Sequence, residues 1–388
     1  MQIKTLIKSI FLFSSLLLAS RELTAQQDTT KKADFKPSGK VWGYAFGDYY
    51  YKMHADSAGR GSNQYSNMPS GATSFEFRRV YLGYDYNISE RFSTEFLFAY
   101  EGTTLSDNAT RTVFIKAANL RWKNIYKNAD IIFGQQATPA FPMISEKIWG
   151  YRSIEKTILD MRKGASSNDL GIGIQAKIGD KGNYGYNVLV ANGTAQKLET
   201  DIFKKFYGDF YAKFLDQKLV FDVYADYERT QMLPNFHKYK SNYKLDVMYT
   251  SDPVTVGVEA YMTTLHNYVG YSNLNVSPAT HDTTDAKVMG VSVFVRGRII
   301  KDKLNFFARY DMYNPDTKFN KDYTYTMGAA PVTESFITAG FDYTPHKNVH
   351  IMPNLWYDGY TSRAKGAPGK VKSDYDMVPR LTVWYVFK

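Results

Sequence analysis

The chemistry-bearing side chains of this chain are its cations. Arg79, Arg121, Arg296, Arg298, Arg309 and Arg380 all occupy the polar parity of stretches in which polar and apolar residues alternate, so each lies on the polar face of an extended segment. Guanidinium groups on a water-facing wall attract anions, and rings of Arg or Lys favour anion passage. A second group, Lys147, Arg152, Lys156, Arg162 and Lys163, falls between Ile144 and Lys163 against Glu146, Glu155 and Asp160, a net of +2. A third, Arg363, Lys365, Lys370 and Lys372, lies in the acid-free run Thr361–Ser373. It suits an electropositive mouth or a contact with lipopolysaccharide. The same parity also turns Asp85, Glu95, Glu101, Asp169, Asp222, Asp226, Glu228, Glu259, Asp311, Asp342 and Asp376 to the arginine side, so most of these charges are expected to pair.

Other chemistries find little support. The chain has no cysteine, which removes disulfides, thiolate metal sites and Cys nucleophiles. Its six histidines, His54, His237, His266, His281, His346 and His350, are scattered, and none forms a pair with helical metal spacing. His350 alone falls on a polar strand face, beside Asn354 and Asp358, where a lipase-like site is the enzymatic alternative. No Gly-rich phosphate loop or Gly-x-Ser-x-Gly elbow occurs. Neither catalytic residues nor a metal or cofactor is expected.

The elements that must carry these residues are strands. Val80, Leu82, Tyr84, Tyr86 and Ile88 alternate with Arg79, Tyr81, Gly83 and Asp85, and Phe92, Thr94, Phe96, Phe98 and Tyr100 alternate with Ser93, Glu95, Ala99 and Glu101. Comparable units recur to Phe387. Tight connections at Ser89-Glu90, Asn124–Asn128, Gly179–Asn183, Asp216-Gln217, Ser251–Pro253, Lys301–Lys303 and Thr344–Lys347 interleave with long polar ones. The long ones are Met53–Ala72, Gly102–Thr110, Ala137–Ser166, Asn192–Phe203, Thr230–Ser241, Asn267–Ala286, Asn314–Thr333 and Thr361–Ser373. This rhythm predicts an all-β, sixteen-stranded antiparallel transmembrane barrel.

Aromatics make up 16% of the chain, with 32 Tyr and 25 Phe against 5 Trp, a surplus that aromatic girdles absorb. At the N-terminus, Lys4 and Lys8 precede an apolar run, Ile10–Ala19, and a small-residue site at Leu23-Thr24-Ala25. Residues 1–25 therefore read as a signal peptide, 26–37 as a periplasmic arm and 38–388 as the barrel. Loss of Lys4, Lys8, Arg21 and Glu22 with the leader takes the formal charge from +10 to +8. Export argues against nucleic acid as the partner of that positive charge.

Four segments in order, Phe75-Glu76-Phe77-Arg78-Arg79-Val80-Tyr81-Leu82-Gly83, Ile132-Phe133-Gly134-Gln135 with Pro139, Asn168-Asp169-Leu170-Gly171-Ile172-Gly173, and Val190-Ala191-Asn192-Gly193-Thr194, resemble the phosphate-selective porin O and P family. The resemblance is firmest from Phe75 to Gly193. Gln136 and Ala137 stand where that family's pattern carries a basic residue. What the resemblance implies is a bacterial outer-membrane porin, homotrimeric and anion-preferring, with the third extracellular loop folded into the lumen. Its partners would be small anionic solutes, outer-membrane lipids and lipopolysaccharide. The remaining alternative is a non-conducting barrel, serving as adhesin or assembly partner.

Overall fold

A computed structural model of the chain describes residues 35–61, 64–66, 68–102, 110–233, 236–273, 281–320, 323–325, 332–363 and 372–387. The expected leader, all but the last residues of the arm, Lys365, Lys370 and Lys388 lie outside them.

The strands are β1 (Ser38–Tyr51), β2 (Thr73–Asn87), β3 (Phe92–Glu101), β4 (Phe114–Tyr126), β5 (Ala129–Ala137), β6 (Asn168–Ile178), β7 (Tyr184–Ala191), β8 (Lys205–Phe214), β9 (Leu219–Leu233), β10 (Phe236–Thr250), β11 (Val254–Asn273), β12 (His281–Ile300), β13 (Leu304–Asn314), β14 (Tyr323–Tyr325), β15 (Val332–His346), β16 (Val349–Ser362) and β17 (Asp374–Phe387). Each pairs antiparallel with its neighbour, and β1 pairs with both β2 and β17, from Gly43 opposite Phe387 to Tyr50 opposite Arg380, which closes the sheet. The short β14 stands apart from the wall, paired to the far end of β11. Sixteen strands thus form the barrel.

Closure satisfies the backbone within the wall, as a lipid environment requires. The outer face is apolar from strand to strand: Leu82, Tyr84, Phe96, Phe98, Val256, Val258, Val293, Met312, Leu381 and Val383 are all exposed. A band of this extent in water would be a large unfavourable apolar surface, whereas in a bilayer it is solvated. The wall therefore spans a membrane. Tight turns at one end use residues that tolerate positive φ, including Asn128 (61°), Asp216 (53°) and Asp302 (58°).

Two of the expected long loops are corrected. Across Thr230–Ser241, β9 and β10 stay paired up to Leu233 opposite Phe236, and across Asn267–Ala286, β11 and β12 run on to Asn273 and from His281. Thr, Tyr and Val in these stretches suit a pleated strand whether or not lipid surrounds it. Polarity marks where a strand leaves the membrane, not where its hydrogen-bond ladder ends.

Two of the β-bulges reset the parity beside charged residues of the inner face. Phe46 opposes Arg79 and Gly47 opposes Phe77, which leaves Arg78 as the extra residue of β2. Likewise Leu97 opposes Ala117 and Phe98 opposes Ile115, leaving Lys116 extra in β4. Both extra residues join their neighbours on the buried inner face. Gly47 permits the first bulge, since a Cβ there would lie 2.3 Å from the Glu76 carbonyl oxygen.

Candidate functional site

The connection between β5 and β6 contains two short helices, α1 (Ser145–Trp149) and α2 (Ile158–Met161), with Gly150 closing α1 at φ 70°. Its apolar side chains explain where it packs. Phe141, Trp149, Ile154, Ile158 and Leu159 are no more than 1% exposed, against inner-face residues that include Met248, Phe294, Phe307, Met352, Tyr224 and Tyr261. Each such burial stabilises by about 1.5–3 kcal/mol. The inner face is therefore not the uniformly polar surface that alternation suggests, because a patch of large apolar residues matches this segment.

Arginines of the wall hold the segment by its backbone. Arg296 Nε donates to the Ile148 carbonyl at 2.8 Å, Arg309 Nη1 to that of Lys156, and Arg380 Nη2 to that of Ile154 at 2.6 Å. Arg309 also pairs with Asp311 at 2.5 Å and lies over the Trp149 ring at 5.6 Å. Of the other expected pore arginines, Arg79 donates to the Arg78 carbonyl at 2.7 Å and faces Glu101 at 3.7 Å. Arg121 pairs with Asp130 and Arg298 with Asp252, each at 2.8 Å and near the tight turns.

Within the segment, Arg152 binds Glu146 and, at 2.6 Å, Asp160. Arg162 leaves it to bind Glu334 of β15 and, at 3.3 Å, Asp358 of β16. Glu155 accepts from Trp356 Nε1 at 2.9 Å. Burial alone would raise this carboxyl, but Arg380 and Arg78 outweigh it and hold Glu155 below the ordinary carboxylate range. At the mouth, Arg363 donates to the Asp316 carbonyl at 2.7 Å and Lys372 is exposed.

Cross-strand register gathers the acids. Asp222, Asp246, Glu259, Ser292, Asp311, Phe336, Asp358 and Asp376 stand opposite one another in turn from β9 to β17, six carboxylates on one girdle. Like charges placed directly opposite repel. Lys244 answers Asp222 (3.2 Å) and Asp246, Arg309 answers Asp311, Arg162 answers Asp358, and Lys52 answers Asp376 at 2.6 Å. Glu259 accepts the Leu159 N–H at 3.1 Å. The expected pairing of inward charges is thus present, with partners that alternation left unnamed.

Those unnamed residues are Arg78, Lys116, Lys244, Lys52 and Tyr65. Lys116 binds Glu101 at 2.6 Å and Ser167 at 3.0 Å. Lys52 Nζ donates to the Tyr65 carbonyl at 2.7 Å, which draws the β1–β2 connection inward so that Tyr65 meets Trp356. The signal for Arg78 was legible. Phe75 and Phe77 face outward on odd numbers but Val80 and Leu82 on even ones, so the phase must break at Arg78-Arg79.

Among the described residues, three of the cavities beside this segment or the barrel ends are lined by more cations than acids. At the tight-turn end, one of about 440 Å3 holds Arg121, Lys123, Lys147 and Lys177 against Asp130, and one of about 690 Å3 holds Lys218, Arg296 and Arg298 against Asp252 and Asp342. At the long-loop end, about 270 Å3 is lined by Arg78, Arg79, Lys156, Arg162 and Lys163 against Glu76, Glu101 and Glu155. Lys147 and Lys163 are exposed. His350 Nδ1 meets Asp342 at 2.9 Å, and Thr344 Oγ1 lies 3.5 Å from that same nitrogen. A hydrolytic relay needs acid and hydroxyl on opposite ring nitrogens, so this arrangement does not favour the lipase alternative.

The geometry defines a class: a closed, sixteen-stranded membrane barrel with a charged interior. No protein-family model matches the chain, and no curated protein matches it in sequence. Solved structures share the fold at low identity. The outer membrane channel DcaP of Acinetobacter baumannii is 15% identical with a TM-score of 0.61, covering 92% of this chain and 100% of that one. An anion-selective porin from Comamonas acidovorans is 11% identical with a TM-score of 0.59, covering 91% and 100%. OmpT of Vibrio cholerae in its trimer form is 11% identical with a TM-score of 0.55, covering 91% and 100%.

Proposed function

We propose that this protein is a porin of a bacterial outer membrane, through which small hydrophilic solutes diffuse passively. The carrying observation is the pairing of an apolar outer wall with cation-rich cavities at both ends of the barrel. In this reading residues 138–167 cross the lumen and narrow it, leaving water-filled vestibules above and below. The excess of Lys and Arg over Asp and Glu in each vestibule supports an anion preference. Phosphate is the narrower candidate, supported by the resemblance of four segments to phosphate-selective porins. A homotrimer in contact with outer-membrane lipid and lipopolysaccharide accords with the trimer form of a barrel of similar fold.

Purified protein in planar bilayers should give stepwise conductance, and a KCl gradient should give a reversal potential of the sign for anion preference. Silent bilayers from folded protein would sink the porin reading. Such silence would favour the non-conducting barrel, to which the dense packing around Trp149, Ile154 and Leu159 gives a specific argument.

A further inference from the structure

The middle of the inner segment, Tyr151 to Glu155, belongs to no helix or strand, yet Ile154 is fully buried. Its carbonyl oxygen takes two guanidinium donors, Arg78 Nη1 at 3.2 Å and Arg380 Nη2 at 2.6 Å, and Arg78 Nη2 also donates to the Ser153 carbonyl. The two arginines reach it from β2 and β17, the strands on either side of β1. Between them Asp48 of β1 pairs with Arg78 at 3.1 Å and accepts from Thr382 Oγ1 at 2.5 Å. The remaining donors of Arg380 go to Asn354 Oδ1 (2.5 Å) and the Tyr65 hydroxyl (2.9 Å). Arg78 is 4% exposed and Arg380 5%. A solute ligand needs an accessible, uncommitted donor, whereas these groups are buried and committed to protein oxygens.

We propose that Arg78 and Arg380 are positioning residues that pin Ser153 and Ile154 across the lumen and so set the width of the passage, rather than ligands for solute. Docking of the segment stands on the contacts alone; its effect on width rests on the porin reading.

Because the chain has no cysteine, Ser153→Cys introduces a unique thiol at a site that is 4% exposed. In the folded protein in micelles, a hydrophilic maleimide should label this thiol slowly. Arg78→Ala and, separately, Arg380→Gln should each raise the labelling rate several-fold. In bilayers each should raise single-channel conductance; Arg380→Gln, at a residue that lines none of the three cavities, should do so with the reversal potential unchanged, and Arg78→Lys, which keeps the Asp48 pair, should recover part of the native conductance. If Arg78→Ala does not fold, Arg380→Gln and Arg78→Lys decide. Unchanged labelling in the folded variants, or a shifted reversal potential at native conductance, overturns the proposal. Silent native bilayers together with faster labelling in the variants would remove the porin reading and leave the positioning role standing.

Discussion

Arg162 shows how charge is managed inside this barrel. It is the cation of the inner segment that reaches the wall carboxylates Glu334 and Asp358, which are 6% and 0% exposed at their side chains. Removing one partner from a buried ion pair leaves an uncompensated charge and costs about 3–5 kcal/mol. Arg162→Met should therefore lower the unfolding free energy of the detergent-solubilised barrel by that order, read as a lower denaturant midpoint. Adding Glu334→Gln should restore part of the loss, because one orphaned charge disappears; equal stability of the single variant and the native protein would refute the pairing. At this scale the sequence was partly legible. Residue parity put Arg309 and Arg380 on the polar face and read them as lining for anions; in the structure their donors hold loop carbonyls. Side-chain type and facing are local properties. The identity of a hydrogen-bond partner more than a hundred residues away is not.

Among the elements, β2 and β4 are the informative ones. Each carries one residue more than its neighbour can oppose, and that residue, Arg78 or Lys116, gains the inner face. The shift in apolar parity from Phe77 to Val80, and from Ile115 to Leu120, records both bulges in the sequence. Reading each strand with one fixed phase hid them. Gly47 is the local requirement for the first, since its missing side chain lets the Glu76 carbonyl approach. Gly47→Ala should cost about 1–3 kcal/mol through overpacking, seen as a lower temperature for loss of the compact form in heat-modifiable gel mobility. An unchanged temperature would mean that the bulge accommodates a methyl group. Strand ends were less legible than strand existence, as β9 to β12 illustrate, because a ladder can continue into water with polar side chains on both faces.

For the whole molecule, the outer wall makes a depth-dependent prediction. Val293 lies at the middle of the β12 outer face and is 49% exposed, and Ile178, 47% exposed, ends β6 beside a tight turn. A cation facing lipid costs about 2–4 kcal/mol at the bilayer midplane and about 0–1 near the interface. Val293→Arg should therefore destabilise the barrel refolded into lipid vesicles far more than Ile178→Arg does. Equal effects in urea unfolding would contradict a wall that spans the bilayer. By itself the amino-acid sequence determined the strand class, the count of sixteen and the apolar outer face, because period-two alternation and turn residues act within a few positions of one another. Only the tertiary structure decided the ring closure of β1 on β17, the carboxylate girdle, and which arginines hold the carbonyls of the inner segment. Those depend on cross-strand register and on contacts between residues distant along the chain, which no local pattern of residue types encodes.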